Sequence, residues 1–142
     1  MDAITKPPTP WHLWAVGLLS LLWNAIGITS YLMTVTGNLG AAGMSPAQIA
    51  YMAETPAWAV AFWALGVWGA FLGSIFLLLR RHLAVSAFAV ALIGLAGSTV
   101  FQRLLSNMPE EMRGLGLAVA IWVISIALLF YAFRMRKAGV LR

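Results

Sequence analysis

Four long apolar runs constrain this chain more than any other feature of its sequence. They cover residues 11–36, 57–79, 83–105 and 114–133, and charged or Pro-containing breaks separate them. Each run provides the roughly 20 residues that a helix needs to cross a bilayer. Backbone groups in lipid must find their hydrogen bonds within the protein, which a helix achieves over its own length. The pattern therefore predicts an all-α membrane bundle, a single domain over residues 1–142 with four transmembrane helices.

Composition supports a membrane location and limits the partners. Of the 142 residues, 62% are hydrophobic and 9% are charged, against roughly 25% charged in a soluble domain. The net charge of +5 is divided among the ends of the runs and forms no single basic patch, which argues against nucleic acid as a partner. The sequence contains no cysteine, so it offers no disulfide and no thiol chemistry. Membrane lipid is the partner that this composition predicts.

The distribution of basic residues predicts the orientation. Seven of the nine Lys and Arg residues lie before the first run, between the second and third, or after the fourth, which places them on one side. By the positive-inside rule both termini are expected in the cytoplasm. We expect the following basic residues to touch anionic lipid at the cytoplasmic face: Arg80, Arg81, Arg134, Arg136 and Lys137.

The loop between the first two runs carries a helix-start signal. In "SPAQIAYMA", Ser45 can act as the N-cap, Pro46 as the first helical residue and Gln48 as the partner in a capping box. The sequence therefore predicts a short helix, from Ser45 to Ala53, on the outer membrane surface.

Small and polar residues form a seam on each predicted transmembrane helix, recurring three or four positions apart. On the first helix the seam contains Gly17, Ser20, Asn24, Gly27 and Tyr31; on the second and third it contains Gly66, Gly69, Gly73, Gly94 and Ser98. Small residues allow membrane helices to approach closely, so helix packing into a compact four-helix bundle is the first interpretation. The alternative is a polar cavity between the first three helices.

Two places carry candidate ligand groups. Asn24 can form an interhelical hydrogen bond, or it can contact a ligand together with Ser20 and Tyr31. Arg103, at the outer end of the third run, can reach the lipid headgroups, or it can gate a cavity and contact an anionic ligand beside Gln102.

The sequence also lacks several ionisable, metal-binding and catalytic groups that particular functions require. All four acidic residues lie outside the runs, whereas proton-coupled carriers place an ionisable group within the membrane. The two histidines have no acidic neighbours, so no metal site is predicted. The sequence shows no nucleophile with a base and no phosphate-binding loop. We therefore expect neither enzyme activity nor a cofactor.

The segments "LLWNAIGITSYLM" and "TPAWAVAFWALGVWGAFLGSIFLLLRRHLAV", followed by an apolar span with a basic tail, resemble a family of small four-span bacterial membrane proteins. Some members of that family are labelled sugar transporters. The resemblance covers nearly the whole chain, and it implies a shared fold and a location in the bacterial inner membrane. It assigns no functional residues.

Two functions fit these patterns. The first is a non-enzymatic structural or accessory membrane protein that acts through helix contacts, as a homo-oligomer or a subunit of a larger complex. It is favoured by many packing seams and few chemical groups. The second is an oligomeric transporter of a small solute, with a sugar as one possibility, which is favoured by the polar seam on the first helix.

Overall fold

The computed structural model describes residues 8–38, 40, 43–110 and 114–142. Lys6, Glu111 and Arg113 lie outside the described residues. The described residues form helices and no strands, and four helices are long and apolar enough to span a membrane, as the apolar runs predict. The helices are α1 (Trp11–Val35), α2 (Pro46–Ala53), α3 (Ala57–Leu78), α4 (Leu83–Val100), which continues as a π-helical turn (Phe101–Leu105), and α5 (Leu115–Lys137).

Local sequence sets the helix boundaries. Pro10 and Pro56 precede α1 and α3, where the missing proline N–H costs no helical hydrogen bond. The capping box of α2 is present: the Ser45 hydroxyl accepts from the Gln48 N–H at 3.3 Å, and the Gln48 side chain accepts from the Ser45 N–H at 2.8 Å. At the far end of the chain, α5 continues to Lys137, about one turn beyond the apolar run.

A tight turn joins α3 to α4. Arg80 occupies the left-handed region at φ 56°, and the N–H groups of Arg80 and Arg81 donate to the Leu77 and Phe76 carbonyls at 3.0 and 2.8 Å. This is a Schellman ending with arginine where glycine is usual. The Arg80 guanidinium donates to the Thr9 hydroxyl at 2.8 Å. Arg80 therefore ties the segment before α1 to the turn.

The α3–α4 hairpin is the centre of the bundle. α3 and α4 make the most extensive helix contact, α1 packs on α3, and α5 packs on α4. A Cβ atom added at Gly94 would lie 2.3 Å from the Gly66 backbone nitrogen and 2.5 Å from the Phe62 carbonyl oxygen. The two backbones therefore meet with no room for a side chain, and Gly69 lies in the same close contact, where an added Cβ would be 3.1 Å from the Ala87 carbonyl.

One end of the bundle is closed by a core that involves all four long helices. This terminal end contains the start of α1 and the end of α5, and its core consists of Leu13, Leu77, Ala84, Phe88, Leu128, Ala132, Val140 and Leu141. A hydrogen bond joins the His12 ring to the Tyr131 hydroxyl. The chain after α5 folds back onto the hairpin, where the N–H of Arg142 donates to the Arg80 carbonyl at 2.9 Å. The described part of the terminal end is therefore tightly packed.

The opposite end, which we call the α2 end, is packed differently. Beyond the terminal core, α1 and α5 make little direct contact, although both remain packed on the central hairpin.

Large apolar side chains such as Leu19, Ile93 and Phe130 are exposed on the outside of the bundle. Such exposure is normal for a surface that faces lipid. The arrangement is a helical membrane-protein bundle with a space between α1 and α5.

Candidate functional site

A cavity of about 360 Å³ occupies the space between α1, α3, α4 and α5. It lies in the half of the bundle toward the α2 end, since α1 contributes residues from Trp23 to Ser30 and α3 contributes residues from Trp63 to Ala70. Its volume is at the lower end of the range for small-molecule sites, about 300 to 1,000 Å³. We call it the main cavity.

Apolar and aromatic side chains form most of the main cavity, and a few polar groups converge on it. The polar residues are Asn24, Ser30, Ser98, Thr99, Gln102 and Ser125. None of the described residues that line the cavity is charged. Because an ionic ligand would lose its hydration without gaining a countercharge, the lining favours an uncharged ligand.

Ser98 is the most informative of these polar residues. Its side chain is 8% exposed, and its Oγ is the one fully buried side-chain polar atom that has no hydrogen-bond partner within the described part of the chain. An unsatisfied buried hydroxyl costs about 1 to 3 kcal/mol. The atom has almost no accessible surface, so a hydrogen-bonding ligand in the main cavity would reach it, and remove that cost, after a small shift of the side chains that cover it.

Asn24 holds α1 against α3 and also lines the main cavity. Its Nδ2 donates to the Ala70 carbonyl at 3.0 Å and to the Ser74 hydroxyl at 2.8 Å. The Ser74 hydroxyl in turn donates to the Ala70 carbonyl at 3.1 Å. The amide nitrogen is therefore used for helix packing, and the carbonyl oxygen is the atom of Asn24 that suits a ligand donor. Asn24 can therefore join α1 to α3 and contact a ligand at the same time, which are the two roles that the sequence suggests.

We expect Asn24→Ala to lower the free energy of unfolding by about 0.6 to 1.7 kcal/mol, the usual range for a hydrogen bond between membrane helices. The measurement is reversible denaturant unfolding in detergent micelles. Thr29→Ala is the control, because the Thr29 hydroxyl bonds to the Ala25 carbonyl of its own helix. Equal losses in the two variants would contradict a role for Asn24 in joining α1 to α3.

Thr99 and Gln102 contribute to the main cavity in different ways. The Thr99 hydroxyl donates to the Leu95 carbonyl at 2.8 Å and accepts from the Trp122 Nε1–H at 3.2 Å. Thr99 is thus a link between α4 and α5. Gln102 lies in the π-helical turn, a local geometry that is common at functional sites. Its amide can both donate to and accept from a ligand.

The other predicted ligand residues lie outside the main cavity. Ser20 is buried and donates to the Gly17 carbonyl of its own helix at 3.0 Å. The Tyr31 ring packs edge to face against Trp63 and Trp68, with centroid distances of 5.2 and 6.3 Å. Arg103 is half-buried in the π-helical turn and is not among the lining residues.

The predicted packing residues also divide between two roles. Gly66, Gly69, Gly73 and Gly94 lie where α3 meets α4, while Gly17 and Gly27 lie where α1 meets α3. Ser98, which the sequence pattern places among the packing residues, lines the main cavity instead of meeting a hydrogen-bond partner.

Sequence reasoning missed Ser30, Thr99 and the wall that α5 contributes, and it assigned Ser125 to the packing seam of the fourth run only. A usable signal was present, since each of these residues carries a hydroxyl within an apolar run, and Ser30 and Thr99 lie at a similar depth from the α2 end. The seam periodicity selected Ser125 as a packing residue but did not select Ser30 or Thr99, because periodicity identifies the face of one helix and not the depth shared by several.

Comparison with protein-family models, with curated proteins and with solved structures found no match to this chain.

Proposed function

We propose that this membrane protein binds a small uncharged solute in the main cavity and acts as a small-solute transporter, working as a homo-oligomer. The observation that carries the proposal is the buried Ser98 hydroxyl, which has no described partner and borders a cavity of about 360 Å³. Membrane proteins ordinarily satisfy such groups within the helix or across helices. In this proposal the side chains that cover the Ser98 hydroxyl shift when the solute binds, and a ligand hydroxyl or carbonyl becomes the missing partner.

The lining defines the class of solute. Ser98 and Ser125 offer hydroxyls, Gln102 offers an amide, and the Asn24 carbonyl oxygen can accept. The remaining wall is mostly apolar and includes the Trp23 and Trp63 side chains. This mixture suits an uncharged molecule that carries several hydroxyl groups and some apolar surface, such as a polyol or a small sugar. The resemblance to four-span proteins labelled sugar transporters points to the same class.

The packing seams weaken the structural or accessory alternative. That role was favoured by a surplus of small-residue faces available to a partner. Gly66, Gly73 and Gly94 are used between α3 and α4, and Gly17 is used against Leu78 of α3. These seams are covered within one chain, so they leave less for a larger complex. Oligomer formation would instead use the exposed apolar surfaces of α1 and α5.

Orientation is part of the proposal. The terminal end carries Arg80 and Arg81 at the hairpin turn, and Arg134, Arg136 and Lys137 at the end of α5. The positive-inside rule favours a cytoplasmic position for this end, in the bacterial inner membrane, with α2 on the outer surface. These cations would meet anionic headgroups. The main cavity would then be closed toward the cytoplasm by the terminal core, as in one state of an alternating-access carrier.

We expect a fluorescent protein fused after Arg142 to be bright in bacterial cells, and alkaline phosphatase fused at the same position to be inactive. The first folds to its fluorescent form in the cytoplasm, while the second requires export. An active phosphatase fusion together with a non-fluorescent protein fusion would show that the C-terminus lies on the outer side, opposite to the proposed orientation.

The binding proposal is tested by filling the main cavity from α5. Ser125→Leu places an isobutyl group in the cavity, whereas Val123→Leu places the same group on the exposed side of α5. Radiolabelled glycerol, xylose and glucose serve as probes, in equilibrium binding to detergent-solubilised protein and in uptake by proteoliposomes. We expect Ser125→Leu to weaken binding and uptake of the preferred probe by at least about tenfold, which corresponds to about 1.4 kcal/mol. Val123→Leu should behave as wild type.

Two outcomes would overturn the proposal. In the first, none of the three probes binds or is taken up. In the second, a probe binds equally well to both leucine variants, so that its site lies outside the main cavity. Recovery of a stoichiometric larger partner from native membranes, together with the first outcome, would favour the accessory role.

A further inference from the structure

A second cavity of about 190 Å³ lies directly beneath α2. Tyr51 and Met52 of α2 and Thr55 of the following turn form its outer side, and α3 and α4 form its inner side. Because its outer wall belongs to the loop between α1 and α3, this cavity is nearer the α2 end than the main cavity. We call it the vestibule.

The vestibule and the main cavity share three lining residues: Trp63, Ser98 and Gln102. The two cavities therefore approach one another at these side chains, which we call the junction. Ser98 supplies a hydroxyl without a described partner at this point, and Gln102 adds an amide on the π-helical turn. Polar groups at the junction would form hydrogen bonds with a hydroxylated solute as it loses its bound water.

α2 is only partly covered by the rest of the bundle. None of its residues is fully buried, and four of its eight residues are half-buried. The Tyr51 hydroxyl forms a hydrogen bond with the Ser106 hydroxyl at 2.8 Å, and the Tyr51 ring stacks on Phe101 with centroids 6.4 Å apart. A helix of eight residues has little stability of its own. Its position over the vestibule therefore depends strongly on these contacts of Tyr51.

We propose that the vestibule is the entrance to the main cavity and that α2 is its lid, with the Tyr51–Ser106 hydrogen bond as the latch. The solute enters from water at the α2 end and passes the junction. This inference rests on the proposed function for the identity of the solute. The competing route runs from the lipid through the space between α1 and α5, where the rim residues Ile26 and Leu117 are each 65% exposed.

The absence of cysteine from the sequence allows access to be measured one position at a time. Ser98→Cys places a thiol at the junction with little change in volume. Ser74→Cys is the matched control, because Ser74 is 0% exposed and lies on α3 outside both cavities. The full-length variants are reconstituted in lipid vesicles and treated with a methanethiosulfonate reagent that carries a sugar, which is uncharged and does not cross the membrane.

We expect Ser98→Cys to react with this reagent much faster than Ser74→Cys. Adding Tyr51→Phe, which removes the latch hydroxyl and keeps the ring, should accelerate the reaction of Ser98→Cys about fivefold, the population shift expected from one net hydrogen bond. Adding Thr55→Trp, which fills the vestibule, should slow it. Each rate is compared with that of lipid-soluble N-ethylmaleimide.

Three results would overturn the inference. The first is equal reaction of the two single-cysteine variants with the impermeant reagent. The second is reaction of Ser98→Cys with N-ethylmaleimide only, unchanged by Thr55→Trp, which would place the entrance in the lipid. The third is an unchanged rate in the Tyr51→Phe background, which would remove the lid. Since labelling requires no solute, these results are independent of whether glycerol, xylose or glucose binds.

Discussion

Gly94→Ala is expected to prevent the normal packing of α3 against α4. The added Cβ would lie 2.3 Å from the Gly66 nitrogen, 2.5 Å from the Phe62 carbonyl oxygen and 2.9 Å from the Gly66 Cα. All three are backbone atoms, so no side-chain rotation can relieve the clash and the helices must separate. Overpacking of this kind costs about 1 to 3 kcal/mol, and more when backbone must move. Stability of about 5 to 15 kcal/mol is typical of folded proteins, so a large fraction would be lost.

Gly116→Ala is the matched control for this prediction. Gly116 lies near the start of α5, and an added Cβ there would meet no described atom within 4 Å. Alanine is favoured over glycine in a helix by about 1 kcal/mol, so this variant should be as stable as wild type or more so. Denaturant unfolding in micelles and the monodispersity of the purified protein measure both effects. Equal stability of the two variants would contradict the close backbone contact.

The clash at Gly94 shows what the sequence could predict and what it could not. Apolar length alone identifies the four spanning helices, because the cost of unpaired backbone groups in lipid leaves few alternatives. The seam of Gly66, Gly69 and Gly73 predicts a close helix contact. The identity of the partner helix depends on how the four helices are arranged, and no single-helix periodicity contains that information. The short turn at Arg80 is the exception, since it requires α3 and α4 to be neighbours.

The main cavity was less predictable, because it also depends on how the helices are arranged. Asn24 and Gln102 are polar enough to be singled out from sequence, and both line it. Ser20 and Tyr31 share the face of Asn24, yet they lie at other depths and meet Gly17 and Trp63 instead. The cavity lies between α1 and α5, which pack on opposite members of the central hairpin and make little direct contact with each other. Ser98 looked like a packing residue because small size and hydrogen-bonding capacity occur in the same side chain.

Ser98→Ala and Ser74→Ala should change stability in opposite directions, although the substitution is the same. Ser98 carries a buried hydroxyl without a described partner, so its removal should raise the free energy of unfolding of the empty protein by up to about 1 to 3 kcal/mol. The Ser74 hydroxyl accepts from Asn24 and donates to Ala70. Its removal should lower the free energy of unfolding by about 0.6 to 1.7 kcal/mol. The gain in helix propensity from alanine is common to both variants and cancels in their difference.

A binding measurement distinguishes two explanations for the buried Ser98 hydroxyl: contact with the solute, or imperfect packing without any role in binding. If the hydroxyl contacts the solute, Ser98→Ala should be more stable when empty and should bind the preferred probe about tenfold more weakly, for the loss of about 1.4 kcal/mol. Ser74→Ala should keep most of the wild-type affinity, because Ser74 lies outside the cavity lining and the Ala70 carbonyl still holds the Asn24 amide. Denaturant unfolding with and without the probe measures both quantities on one sample. A stabilised Ser98→Ala with unchanged affinity would show that the hydroxyl makes no contact with the solute, and the proposed site would then lose the observation on which it rests.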